Sequence, residues 1–238
     1  MDIAANYNRV CDQVATALGR CGRQAEDLII VCAAKTKGSE AVRVAIAAGA
    51  TDIGENYVQE AREKIAQVPD PVHWHLIGHL QRNKAKEAVR LFTLIHSLDT
   101  KALAQELHRQ GEKQGKIVRT LIEVNLGGEQ TKSGIAPVRI EPLLEAVAAL
   151  PSLRVEGFMT IPPPGPNAEA SRPYFQELAR LRDSYARFQT ANITLRELSM
   201  GMTDDYQVAI EEGATIVRIG RAIFGERQFG ERQFGERQ

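Results

Sequence analysis

The apolar run of VCAAKTKGSE (31–40) ends on a cation, Lys35. A lysine is seldom buried, because its ammonium loses hydration that apolar neighbours do not replace. Taken alone, Lys35 reads as a solvated strand end. Other polar or special residues stand at the ends of apolar runs in the same way. Asn56 follows TDIG, while His79, Gln81 and Asn83 follow VHWHLIG. Asn125 closes VRTLIEVNL, Met159 lies near the end of LRVEGFMTI, Ser199 ends LRELSM and Gly220 ends TIVRIG. Two of these ends have the make-up of anion-binding loops. LSMGMTDD supplies the Ser199 hydroxyl, Met200, the flexible Gly201 and a helix start near Thr203. RIGRAIFGE supplies Gly220 and Arg221, with backbone amides able to face an oxyanion. Together they predict a phosphorylated ligand.

A strand-end lysine facing a phosphate pocket is placed to condense with an aldehyde that carries a phosphate, and pyridoxal 5′-phosphate (PLP) fits that description. Attack needs the neutral amine, whose ordinary pKa is roughly 10.4, so the site must lower it by burial or by a nearby cation. The IIVCAA run offers the first, and Lys37 or Arg218 the second. Arg218 lies two residues before Gly220 and therefore shares its side of the strand. From there it reaches the ring end of a ligand whose phosphate sits at Gly220.

These residues need a frame that gathers strand ends. Apolar β-rich runs occur at 28–34, 51–54, 72–78, 92–98, 118–126, 153–161, 195–200 and 215–220. Helical patterns lie between them, and Ile3, Tyr7, Val10, Val14 and Leu18 mark one more amphipathic helix at the start. A Ser39 cap and a glycine stop bound the helix 39–49, Asp99 is the expected cap of the next-but-two, and a helix is expected over 204–213. Repeated strand–helix units with near-continuous apolar strands imply a parallel sheet buried on both faces. Eight such units predict a single closed (β/α)8 TIM barrel, a fold of typically about 250 residues, with an open doubly wound sheet as the alternative. The functional face of such a barrel is the one at the C-terminal ends of its strands, where the residues above fall. The expected organisation is one barrel over 1–228 with an extra N-terminal helix, followed by a repetitive extension over 229–238, where FGERQ recurs.

The motifs AAKTK, IGENYVQE, WHLIGHLQRNK, EVNLGGEQTKSG and LSMGMTDDYQVAIEEGATIVRIGRAIFG, taken together and in this order, resemble the YggS/PROSC family of PLP homeostasis proteins. The likeness runs from about Leu28 to Gly225. It implies a fold similar to the N-terminal barrel domain of alanine racemase, the fold-type III PLP group. It implies that Lys35 carries PLP as an internal aldimine and that Asn56 sits beside the cofactor. Ser199, Gly220 and the loops after them (Met200, Gly201, Arg221) would hold the phosphate, with Met159 close by and Arg218 facing the pyridine nitrogen. Arg221 stands where many relatives carry Thr or Ser, so an amide or the guanidinium would replace a hydroxyl contact.

The implied role is binding and homeostasis of intracellular PLP (vitamin B6), with effects on amino-acid balance, rather than catalysis. An arginine at the ring nitrogen is donor-only and weakens the ring as an electron sink. The five tyrosines, Tyr7, Tyr57, Tyr174, Tyr185 and Tyr206, include no evident opposing base, and no second domain is expected to bring one. PLP-dependent apoenzymes are the expected recipients, and the chain is expected to be monomeric. The alternatives are a fold-type III racemase or decarboxylase and a metabolite-binding barrel without PLP.

Thirty basic residues balance thirty acidic ones, so no global field favours nucleic acid or an anionic membrane. Cys11, Cys21 and Cys32 lack metal-ligand spacing and, with no secretory leader, read as free thiols of a cytoplasmic protein. His73 and His75 alternate onto one strand face and read as packing residues rather than zinc ligands. Asp204 and Asp205 read as partners of a helix dipole, and Lys37 and Lys132 as loop residues, the latter over the barrel mouth.

Overall fold

The computed structural model describes residues 2–68, 71–129 and 133–226. Its elements run in the order α1 (Ile3–Arg20), β1 (Ile29–Ala33), α2 (Ser39–Ala47), β2 (Asp52–Glu55), α3 (Val58–Ile65), β3 (His73–Leu76), α4 (Ala85–Leu91) and β4 (Leu94–Leu98). Then come α5 (Lys101–Gln114), β5 (Val118–Glu123), α6 (Ile140–Ala148), β6 (Leu153–Met159), α7 (Arg172–Ser184), β7 (Ile193–Ser199), α8 (Tyr206–Glu211), β8 (Ile216–Ile219) and α9 (Arg221–Phe224). The strands form a closed barrel in sequence order. Closure comes from parallel pairing of β1 with β8, with Val31 opposite Arg218 and Cys32 opposite Ile219.

Strand alternation divides the apolar residues into two sets. Ile29, Val31, Ala33, Ile77, Leu94, Leu121, Met159 and Ile216 fill the barrel interior, while the other strand residues join the helices in the larger outer core. Each strand is therefore apolar on both sides, as its sequence suggests. The N-terminal helix α1 buries Tyr7, Val10, Val14, Ala17 and Leu18, nearly the set its periodicity marks, with Ile3 half-buried. It packs on α2, α8 and α9. Asn6 Nδ2 donates to the Ile223 carbonyl (3.1 Å) and the Tyr206 hydroxyl to Gln13 Oε1 (2.6 Å), tying α1 to the end of the barrel.

Several boundaries differ from expectation, each for a local reason. Gly38, not Ser39, caps α2, and the Ser39 hydroxyl donates to Gln67 Oε1 (2.7 Å). Thr100, not Asp99, caps α5, its hydroxyl accepting from the Leu103 amide (3.2 Å). The helix expected from 204 starts at Tyr206, because the Asp205 carboxylate accepts from the Met202 amide (2.7 Å) and holds that turn outside the helix. β7 begins at Ile193, ahead of the expected 195, and takes a register shift against β6. At that shift β6 and β7 approach so closely that a Cβ on Gly157 would lie inside the Glu197 backbone. The two later FGERQ copies and Lys132 lie outside the described residues.

Candidate functional site

Inward register continues one step past several strand ends. On β1 the inward residues are Ile29, Val31 and Ala33, so Lys35 follows on the same side. Lys35 is half-buried, and Thr36 after it takes a left-handed turn (φ 65°) that lets the chain leave the barrel rim. The carbonyl just before this turn is pinned from outside the barrel. Lys64 Nζ, on α3, donates to the Ala34 carbonyl (2.8 Å) and to Glu55 Oε1 (2.6 Å), a buried ion pair. Lys37 reaches the Glu226 carbonyl (3.0 Å).

Arg218 points inward from β8 and is only 4% exposed. Its Nη1 donates to Ser199 Oγ (2.6 Å) and its Nη2 to the Thr160 carbonyl (2.9 Å) at the end of β6. Burial pulls its pKa down to about 10, against the pull of the Glu123 and Asp205 carboxylates. It remains a cation at neutral pH. Ser199 is fully buried, and its hydroxyl lies between Arg218 and His96 Nδ1 (2.9 Å). Its side chain is thus engaged inside the barrel. The physical reason is that the strand carries Ser199 inward, on the same side as the guanidinium.

The remaining expected residues sit at the C-terminal rim in distinct ways. Met159 forms part of the apolar floor. Met200 is buried in the outer core with its amide bonded to the Ile216 carbonyl (3.0 Å), so its side chain faces away from the mouth. Gly201 has φ 91°, and a Cβ there would meet the Ala209 Cβ at 2.6 Å and the Tyr206 Cα at 2.9 Å. A Cβ on Gly220 would meet the Ala33 carbonyl oxygen at 3.2 Å, where β8 closes on β1. The loop after β7 is tied to α9 where Thr203 Oγ1 accepts from the Ala222 amide (3.3 Å). Arg221 is exposed and paired with Asp204 and Glu226. Asn56 and His79 line two adjoining clefts of about 320 and 300 Å³ across the rim. Tyr57, 62% exposed, borders the first of them. The Asn125 side chain instead staples its own loop, donating to the Glu129 carbonyl (2.8 Å) and accepting from the Gly128 amide (3.0 Å).

Two features escaped the sequence reading. Glu123, the last residue of β5, lines the second cleft, and its Oε2 is buried without a hydrogen-bond partner among the described residues. Burial, reinforced by the nearby Asp99 charge and opposed by Arg218, pushes its pKa up to about 7. Asp99 is itself raised by burial and drawn back by His79, whose Nδ1 is 3.4 Å from its Oδ2. The second feature is a polar file inside the barrel. His75 Nε2 lies 2.8 Å from Asp52 Oδ1, and His75 Nδ1 lies 3.0 Å from His96 Nε2. A lone charged or imidazole residue at an inward position of an apolar strand was the available signal in IEVNL and LIHSL.

The alanine racemase N-terminal domain family matches residues 5–228. A pyridoxal phosphate homeostasis protein of Aquifex aeolicus is 44% identical over 229 residues, covering 96% of this chain and all of the relative. The chain belongs to the pyridoxal phosphate homeostasis family. Two solved structures have its fold. A protein of Bifidobacterium adolescentis superposes with a TM-score of 0.88 at 33% identity, covering 94% of both chains. PipY of Synechococcus elongatus, solved with PLP bound, superposes at 0.79 with 33% identity, covering 89% of this chain and all of PipY. The chain is thus a (β/α)8 barrel with the fold of PipY, and the expectation of fold and family holds. No helix among the described residues is long and apolar enough to cross a membrane.

Proposed function

We propose that this chain binds PLP through a Schiff base on Lys35 and serves the supply and balance of that cofactor, and through it of amino acids, without robust turnover of its own. The observation that carries the proposal is a convergence at one end of one closed barrel. An amine (Lys35), an inward guanidinium (Arg218) and two close-packed glycine turns (Gly201 and Gly220) all stand there. PipY, a relative solved with PLP bound, supports the same reading.

The residues fit the group. The glycine turns leave backbone where side chains would not pass, as an anionic phosphate requires. Met159, Val31, Ala33 and Ile77 offer an apolar floor for an aromatic ring. Gly201, Gly220 and the backbone of Arg221 would hold the phosphate, Asn56 would stand beside the ring, and Arg218 would face its nitrogen; the Met200 amide is already taken by the Ile216 carbonyl. Ser199 would act on the ring end only through Arg218. Bound PLP supplies an electrophilic aldehyde carbon and an electron-accepting ring. Arg218 has no acceptor atom, so it cannot keep a proton on the ring nitrogen, and the site favours holding the cofactor over withdrawing electrons through it. PLP-dependent apoenzymes would be the recipients, with the chain acting as a monomer in the cytoplasm.

The test is the visible spectrum of the purified protein before and after borohydride, with peptide mass mapping. A yellow protein that bleaches on reduction, with the pyridoxyl mass on the Lys35 peptide, is the expected result. A protein left unlabelled after incubation with PLP overturns the binding claim. Turnover of alanine or serine, lost in Lys35→Ala, overturns the non-catalytic one.

A further inference from the structure

The polar file through the barrel has five members and no gap. Arg218 Nη1 donates to Ser199 Oγ (2.6 Å), Ser199 meets His96 Nδ1 (2.9 Å), His96 Nε2 meets His75 Nδ1 (3.0 Å), and His75 Nε2 meets Asp52 Oδ1 (2.8 Å). It begins at the first residue of β2, on the N-terminal rim, and ends at the guanidinium beside the C-terminal rim. We propose that Asp52, His75, His96 and Ser199 are positioning residues for Arg218, joined in one hydrogen-bond relay of single polarity that links the N-terminal rim of the barrel to the candidate cofactor site.

The polarity follows from the chemistry of the two ends. Asp52, ionised, only accepts, so His75 must present Nε2–H to it. A neutral His75 then has a bare Nδ1, which accepts from His96 Nε2–H. His96 is wholly buried beside Arg218, and that environment holds it neutral. Its Nδ1 is therefore bare as well and takes the proton of the Ser199 hydroxyl. Arg218 only donates, and it fills a lone pair of the same hydroxyl. Every N–H and O–H dipole thus points from the cation toward the anion, the favourable direction in their field. Both imidazoles are fixed as Nε2–H tautomers. The serine's proton is committed inward, so its hydroxyl orients the guanidinium and donates nothing to a ligand at the mouth.

A proton added to His75 reverses the file. His75 Nδ1–H then donates to His96 Nε2, His96 carries its own proton on Nδ1, and Ser199 must accept from both His96 and Arg218, which frees its proton. The groups that bear on this step are Asp52 on β2, His73 on β3 beside His75 (Nδ1 3.3 Å from Asp52 Oδ1), and His96 on β4. Arg119 on β5, paired with Glu156 on β6 (2.7 Å) and influenced by Glu197 on β7, also senses Asp52. Arg218 on β8 acts on His96.

The relay stands without any bound group, so the test uses the full chain free of PLP. Histidine labelled with 15N, read by long-range proton–nitrogen correlation at pH 8 and assigned with single-histidine variants, reports each tautomer directly. The expected result is Nε2–H for both His75 and His96. A His96 found as the Nδ1–H tautomer, or as a cation, overturns the relay. In Asp52→Asn, checked for wild-type far-UV circular dichroism, the fixed anion is gone and the two His96 nitrogen signals should move toward each other. His96 signals unchanged in that variant overturn the link to the N-terminal rim. Ser199→Ala cuts the last contact and should speed rotation of the Arg218 guanidinium, read from its Nη line shapes. An unchanged rotation rate removes Ser199 from the positioning role.

Discussion

Lys64→Met tests how the turn that carries Lys35 is held. In the wild type, Lys64 Nζ bridges the Ala34 carbonyl (2.8 Å) and Glu55 Oε1 (2.6 Å), while Glu55 is fully buried and its second oxygen has no partner among the described residues. Methionine keeps the length and apolar stem of lysine but removes the ammonium. Glu55 is then a lone buried carboxylate, which either stays charged or takes a proton. Taking a proton at pH 7 from an ordinary pKa of 4.5 costs about 3 kcal/mol, at 1.36 kcal/mol per unit. That matches the roughly 3–5 kcal/mol lost when one partner of a buried pair is removed. Burial already raises Glu55, with Lys64 drawing it back, so the variant raises it further. A carboxyl whose folded pKa lies above its unfolded value keeps its stabilising contribution below the unfolded pKa and loses it as pH rises through the folded one. The deficit of Lys64→Met should therefore be small near pH 5 and reach about 3 kcal/mol at pH 7. Urea unfolding at a series of pH values, by tryptophan fluorescence and circular dichroism, measures it. An equal deficit at pH 5 and pH 8 would refute the argument, because it would place the loss in packing rather than in an unpaired charge.

Other substitutions probe other contacts. Glu123, pushed up to about 7 by burial and the Asp99 charge, has stability to lose between its ordinary pKa and that value as pH rises. Glu123→Gln should therefore gain about 2–3 kcal/mol on wild type between pH 5 and pH 8.5, seen in parallel unfolding curves, and a constant difference across that range would contradict it. Gly157→Ala forces a methyl group into the Glu197 backbone, and a loss of at least about 3 kcal/mol or failure to fold is expected. A soluble Gly157→Ala protein with wild-type unfolding would show that β6 and β7 do not approach so closely. Gly201→Ala strains a left-handed residue (φ 91°) and crowds Ala209 and Tyr206, so PLP affinity in an equilibrium absorbance titration should fall by at least about tenfold. Unchanged affinity would take the phosphate away from this turn.

The alternation of strands and helices, the shared side of Arg218 and Gly220 and the convergence of strand ends were legible in the chain itself. They are local: a period of two, a period near 3.6, and a barrel's habit of gathering its strand ends on one face. Lys35, Asn56, Met159, Arg218 and Gly220 could be placed on one rim this way, and the motifs in order indicated the family. The cap of α2 shifted by one residue because a competing acceptor lay outside the segment, Gln67 Oε1 taking the Ser39 hydroxyl proton in a hydrogen bond. What only the tertiary structure decided was which inward groups meet. Ser199 stands at its strand end in the sequence, and only the fold puts its hydroxyl between Arg218 on the neighbouring strand and His96 from β4. Glu123 reads as one charge in an apolar run, and its raised pKa depends on burial and on Asp99. Such pairings span many residues of sequence, Ser199 and His96 being 103 apart, and nothing in either segment encodes the other. Barrel closure brings them within a hydrogen bond, in an interior where unpaired polar groups are costly.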